Sequence, residues 1–316
     1  MERKIEIDQI KGLGIIFMIL GHSLLPAFFT KPVCVFHMPL FFIVSGILYK
    51  ERSLIEILKR NSKKILVPYF FTCIILLSYY GFIRNRWDWW ISIFLGNAYK
   101  TLCFEQFYTV GPLWFLPAFF VSSVCFHIVR KIPNQLSQLI IFISLFFLSL
   151  LLKIEINLLP FGLMSGIVGA FFMYIGYVYK ECYILSTNKY FYMLGGVSYV
   201  ACLLWGNLSM SWHIYKLLLL QIVAAAFAVI ILLKIVKRYF YHFKIIAKIG
   251  YYSLPIMCIH SIDRKLNVTK EIVLTFNSDS ILINGGVDFC LKIVFVFIIF
   301  KILSKSKYFR LIYSIK

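Results

Sequence analysis

Stretch after stretch of this chain is apolar for long enough to cross a bilayer, and that recurrence constrains the fold more than any motif does. A hydrocarbon layer of ~30 Å takes about 20 helical residues. In lipid the backbone must satisfy its own hydrogen bonds, so runs of this length fold as helices. Ten are expected, near 10–29, 33–49, 65–83, 112–129, 136–152, 158–179, 190–206, 216–236, 245–262 and 284–303. Apolar residues fill 61% of the 316 positions and charged residues 15%, well under the ~25% charge of a soluble domain. The expected fold is an all-α polytopic membrane protein, a bundle of about ten transmembrane helices forming one domain over 1–316.

The net charge of +20 invites a nucleic-acid reading, but the cations do not gather in a basic domain. They sit in the short connectors, as the positive-inside rule produces, so no nucleic acid is expected as a partner. Counted by side, 23 Lys and Arg fall with the two termini and the connectors at 50–64, 130–131, 180–189 and 234–248. Nine fall on the other side, and Lys292 lies within a span. This asymmetry puts both termini in the cytoplasm. The first run ends in Pro26-Ala27-Phe28 rather than a small-residue cleavage site, so it is expected to remain as an uncleaved span. Trp87, Trp89 and Trp90, in the 84–111 connector, fit a helix lying at the headgroups. The eight cysteines show no CxxC or Cys/His ligand spacing, and most lie in apolar runs, where a free thiol acts as a small hydrophobe. Neither a metal site nor a disulfide is expected.

Within this apolar background a few polar residues need a reason. In the first run, Asp8, Lys11 and His22 lie along one stripe of the helix. Lys11 and His22 are close to three full turns apart, so both point the same way, separated by roughly 16 Å along the axis. His37 opens the second run and His260 closes the ninth, which places three histidines in the outer half of the membrane on three helices. Ionisable groups at such depth usually face the bundle interior or a water-filled cavity. The ninth run also carries Lys248, Tyr251, Tyr252 and Ser253, with Pro255 freeing a backbone carbonyl. Asp263 either orients the His260 ring or pairs with Arg264 or Lys265. On the inner side Lys59-Arg60-Asn61-Ser62-Lys63-Lys64 is either a topology signal that touches anionic lipid or a phosphate clamp, with Arg60 and Lys63 one turn apart.

IDQIKGLGIIFMILGHS at 7–23 resembles the first helix of the acyltransferase-3 family of integral membrane acyltransferases, whose signature is Arg or Lys followed eleven residues later by His. FHMPLFFIVSGIL resembles its second helix, Arg60-Asn-Ser-Lys63 its RxxR element, GPLWFLPAFF at 111–120 its Trp-Phe-Leu helix, and YYSLPIMCIH at 251–260 its SLPIYxxH segment. The nearest branch is the fucose 4-O-acetylase-like group. Lys11 stands where Arg is commoner, and Lys63 replaces the second Arg of RxxR, which keeps charge but loses the bidentate fork.

The resemblance implies a multi-pass enzyme of the cytoplasmic (inner) membrane. It would move an acyl group, usually acetyl from acetyl-CoA, to a hydroxyl of an envelope or surface polysaccharide, on a glycan or lipid-linked saccharide acceptor. Acetyl-CoA enters as acyl donor substrate, with no cofactor bound permanently. His22 is then the catalytic residue, as general base or as an acyl-histidine relay. Lys11, Arg60 and Lys63 hold the donor phosphates, while His37, Trp114, Ser253 and His260 line the acceptor side. A carrier or flippase for a glycan, without covalent chemistry, is the competing class.

Overall fold

The computed structural model describes residues 5–96, 109–151, 159–181, 189–206, 208–211, 214–240, 242–276 and 278–315. Cys103, Cys182, Lys100 and Lys153 lie outside the described residues. The described chain is helical apart from turns and one two-stranded hairpin, Leu208–Ser209 against Ile214–Tyr215. Helices occur at all ten expected segments. Five are long and apolar enough to cross a membrane: Ala27–Ile47, Leu54–Arg84, Gly111–Arg130, Pro160–Glu181 and Leu218–Tyr239. A bent pair, Lys244–Tyr251 with Ser253–Leu266, makes a sixth when taken as one span.

Two of the expected first helices are interrupted. α1 runs Ile5–Gly21 and stops there, with His22 in the following turn; α2 (Ala27–Cys34) then bridges the end of the first expected run and the start of the second, and α3 (His37–Ile47) takes the rest of the second. Pro26 and Pro32 cannot donate backbone hydrogen bonds, which accounts for a chain that restarts rather than continues. α4 (Leu54–Asn61) is capped by Ser53, whose side chain accepts from Glu56 N at 3.2 Å. A wide π-type turn over Ser62–Leu66 joins it to α5 (Val67–Arg84).

α6 (Trp90–Leu95) follows a short turn at Trp87–Trp89. Trp87 and Trp90 are exposed, as an interfacial anchor requires, but Trp89 is fully buried and stacks on Tyr80 with ring centroids 5.4 Å apart. The remaining helices are α7 (Phe115–Arg130), α8 (Gln135–Leu151), α9 (Leu163–Glu181), α10 (Lys189–Leu204), α11 (Leu218–Tyr239), α12 (Lys244–Tyr251), α13 (Ser253–Leu266), α14 (Val268–Phe276), α15 (Ile281–Leu303) and α16 (Lys307–Ile312).

α12 and α13 meet at 71° around Tyr252. Pro255 explains the break, because its ring would collide with the carbonyl of Tyr251 in a continuous helix, whereas in the first turn of α13 it is tolerated. Between apolar helices in lipid there is little hydrophobic drive, so close packing of small residues takes over. α1 crosses α12 where a Cβ on Gly12 would strike the Ile246 carbonyl and one on Gly250 the Asp8 carbonyl. α3 crosses α9 the same way, through Gly46 and Gly176. These two crossings fix α1, α3 and α9 around the central core, where Leu40, Phe42, Ile43 and Phe172 are buried completely.

Candidate active site

Two cavities lie end to end inside the bundle, and four stretches of chain line both. Along α1, Lys11 and Ile15 face the first cavity, while Met18, Gly21 and, in the turn just after it, His22 face the second. On α3, Phe41 and Ser45 face the first, and His37 and Met38 the second. The turn Gly111–Trp114 offers Trp114 to the second cavity, and α7 continues with Phe115, Phe119 and Ser123 on the first. On α13, Ser253 and Leu254 belong to the first, Arg264 to the second, and Met257 touches both.

The first cavity holds about 450 Å³ and carries four cations, Lys11, Lys50, Arg52 and Arg60, above walls of Phe41, Phe115 and Phe119. Arg60 reaches it because Asn61 donates to Ser123 Oγ at 2.7 Å, docking the end of α4 on α7. The same Asn61 accepts from Arg60 Nε at 3.3 Å. Lys63 is placed differently: it lies in the wide turn after α4, is exposed and lines neither cavity. One-turn spacing from Arg60 would align the two in an α-helix, but an i→i+5 turn changes the angle per residue. Ser253, expected beside the acceptor, lines the cationic cavity instead. Clustered cations in a partly enclosed pocket suit phosphate groups. Among the described residues, no group of three or more His, Cys, Asp or Glu side chains is arranged to hold a metal ion.

The second cavity holds about 300 Å³, at the small end of the range for small-molecule sites. The structure brings His22, His37 and His260 together around it. His22 Nδ1 and His260 Nε2 are 3.1 Å apart, with their rings nearly parallel at 16°. His22 and His37 meet edge to face, with centroids 6.3 Å apart. His22 and His37 line the cavity; His260 is fully buried behind His22.

Hydrogen bonding restricts the protons. His37 Nδ1 lies 3.0 Å from the Val33 carbonyl, which can only accept, so a neutral His37 keeps its lone pair on Nε2. His22 and His260 share a single proton across their contact. Trp114 offers a flat apolar face and Arg264 a guanidinium, and the hairpin contributes Ser209 and Ser211. Asp263 does not orient His260. Its two oxygens accept from Thr269 N and Thr269 Oγ1, both at 2.9 Å, at the start of α14.

Several of these residues escaped the sequence reading. Lys50 and Arg52 belong to a connector whose charge is accounted for by topology alone. Arg264 entered only as one alternative partner for Asp263, and Met257 is one apolar residue in a run of them. The chain matches the family model described as an acyltransferase domain over residues 4–306. No curated protein and no solved structure matches it.

Proposed function

Because the chain belongs to this acyltransferase family along nearly its whole length, and is thereby a membrane acyltransferase with an acyl donor and an acceptor, we propose that it is an O-acetyltransferase of the cytoplasmic (inner) membrane. Acetyl-CoA is the donor, entering from the cytoplasm, and the acceptor is a sugar hydroxyl of an envelope polysaccharide or its lipid-linked precursor. The observation that carries this reading is the pair of cavities laid end to end, one cationic and one lined by histidine and tryptophan, meeting at Met257.

A donor with phosphates at one end and a thioester at the other suits that layout. Lys11, Lys50, Arg52 and Arg60 hold the phosphates, and the thin arm passes Met257 to present the thioester near His22. Trp114 stacks against the sugar ring, and His37 binds the acceptor beside it. When His22 donates from Nδ1 to His260 Nε2, its own Nε2 carries the lone pair that a general base needs. The acceptor hydroxyl gives its proton to His22 as its oxygen attacks the thioester carbonyl. The tetrahedral intermediate then collapses with departure of the CoA thiolate, which takes the proton from the imidazolium. The products are the acetyl ester and CoA.

The test is incubation of the purified protein with labelled acetyl-CoA and saccharide acceptors extracted from the envelope. Acceptor-dependent release of CoA together with a labelled ester supports the enzyme. Saccharide movement across reconstituted vesicles without CoA use would instead identify a carrier and overturn the reading.

A further inference from the structure

α15 carries a buried ion pair that the acyl-transfer chemistry does not use. Asp288 and Lys292 stand one turn apart, pair with one another, and are both almost completely inaccessible. The second oxygen of Asp288 accepts from the backbone N–H of Leu24 at 2.8 Å. Leu24 lies two residues beyond His22, in the turn where α1 has already ended. One turn before Asp288, Gly285 lets α15 approach so closely that a Cβ there would sit 2.7 Å from Leu25 Cα. Lys292 Nζ donates to Thr269 Oγ1 at 3.2 Å, and Thr269 in turn donates to Asp263, three residues after His260. One connected network therefore grips the chain just past His22 and just past His260.

Two charges buried along an apolar helix are expensive, and a well-packed apolar pair often gives equal or better stability. We propose that Asp288 and Lys292 are positioning residues, fixing the turn that carries His22 and so setting its contact with His260. This rests on the acyl-transfer reading of the histidine cavity. The link that matters is the acceptor oxygen offered to Leu24 N–H. Lys292, paired with the other oxygen, keeps that carboxylate aimed.

Two double variants separate this role from stability. Asp288→Asn/Lys292→Met removes both charges but keeps an amide oxygen for Leu24 N–H, whereas Asp288→Leu/Lys292→Met removes the oxygen as well. Misplacing a reacting group by about 1 Å costs ~10²-fold in rate. The first variant is therefore expected to hold kcat within about threefold of the parent and the second to lose ~30–100-fold. Both should keep the KM for acetyl-CoA and the melting temperature.

Amide deuterium exchange over residues 20–25 should rise only in the second variant. Asp288→Ala/Lys292→Met serves as the acceptor-free variant if the leucine form does not accumulate. Equal kcat and equal exchange in the acceptor-bearing and acceptor-free variants overturn the proposal, whether both are active or both are not. A parent protein that releases no CoA in any assay fails the acyl-transfer reading alone, since the exchange comparison still decides whether Asp288 holds the turn.

Discussion

Replacing Arg60 and Lys63 separately by alanine asks whether the cationic cavity, rather than the basic motif as a whole, holds the donor. Both residues belong to one basic run, yet only Arg60 lines the cavity, and Lys63 projects from the wide turn beyond it. A hydrogen bond to a charged group contributes ~1.5–3 kcal/mol when shielded. Arg60 is exposed even where it lines the cavity, which scales this down to ~1 kcal/mol, or about a fivefold weaker dissociation constant. Lys63 acts only through a screened, exposed charge worth less than ~0.5 kcal/mol, about twofold. The assay is equilibrium binding of labelled acetyl-CoA to detergent-purified protein at physiological salt, where long-range attraction is damped. A loss on Lys63→Ala as large as that on Arg60→Ala would refute the assignment of phosphate binding to the cavity.

His22→Gln is expected to reduce turnover by ~10²–10⁴-fold while leaving acetyl-CoA binding unchanged; near-normal transfer at equal membrane abundance would remove His22 from the chemistry. Met257→Trp puts a bulky ring where the two cavities meet and should cut turnover by at least ~10-fold. Separate binding of donor should survive, and a rate equal to the parent's would mean the thioester does not pass that way. Gly250→Ala pushes a methyl group into the Asp8 carbonyl and should destabilise by at least the ~1–3 kcal/mol of ordinary overpacking. Thermal unfolding in detergent reads this directly, and an unchanged midpoint would contradict the tight crossing of α1 and α12.

What the sequence made legible is what hydropathy and charge can carry. Apolar length located the helices, and the spacing of His22, His37 and His260 pointed to a shared polar site on three separate runs. What it hid depends on breaks and on partners. A hydropathy window sees the stretch from Ile10 to Phe29 as one span, because a turn at His22 changes no residue's polarity. The alignment of Arg60 with Lys63 assumes an uninterrupted α-helix, which the wide turn at Ser62 denies. Trp89 has the composition of an anchor and the position of a core residue, and only its contact with Tyr80 distinguishes the two. Lys292 read as an anomaly inside a span until Asp288, one turn away, supplied its counter-charge.

These omissions share a physical origin. From Ile5 to Gly21 α1 is unbroken, so it works as a ruler: eleven residues put His22 roughly 16 Å beyond Lys11, and that depth can be read from sequence. A ruler fixes depth and not orientation. Once the helix ends at Gly21, the His22 ring is no longer directed by its own backbone ladder. Its surroundings come from other helices: His260 on α13 at 3.1 Å, His37 opening α3, and Asp288 on α15 holding the turn through Leu24. A side chain at the end of a rigid helix can be reoriented by changes on neighbouring helices without altering its distance from the cationic cavity at Lys11. That separation predicts two kinds of variant. Substitutions on α1 between Lys11 and Gly21 should disturb donor reach, whereas those at His260 on α13 and Asp288 on α15, which line neither cavity, should disturb turnover with donor affinity intact.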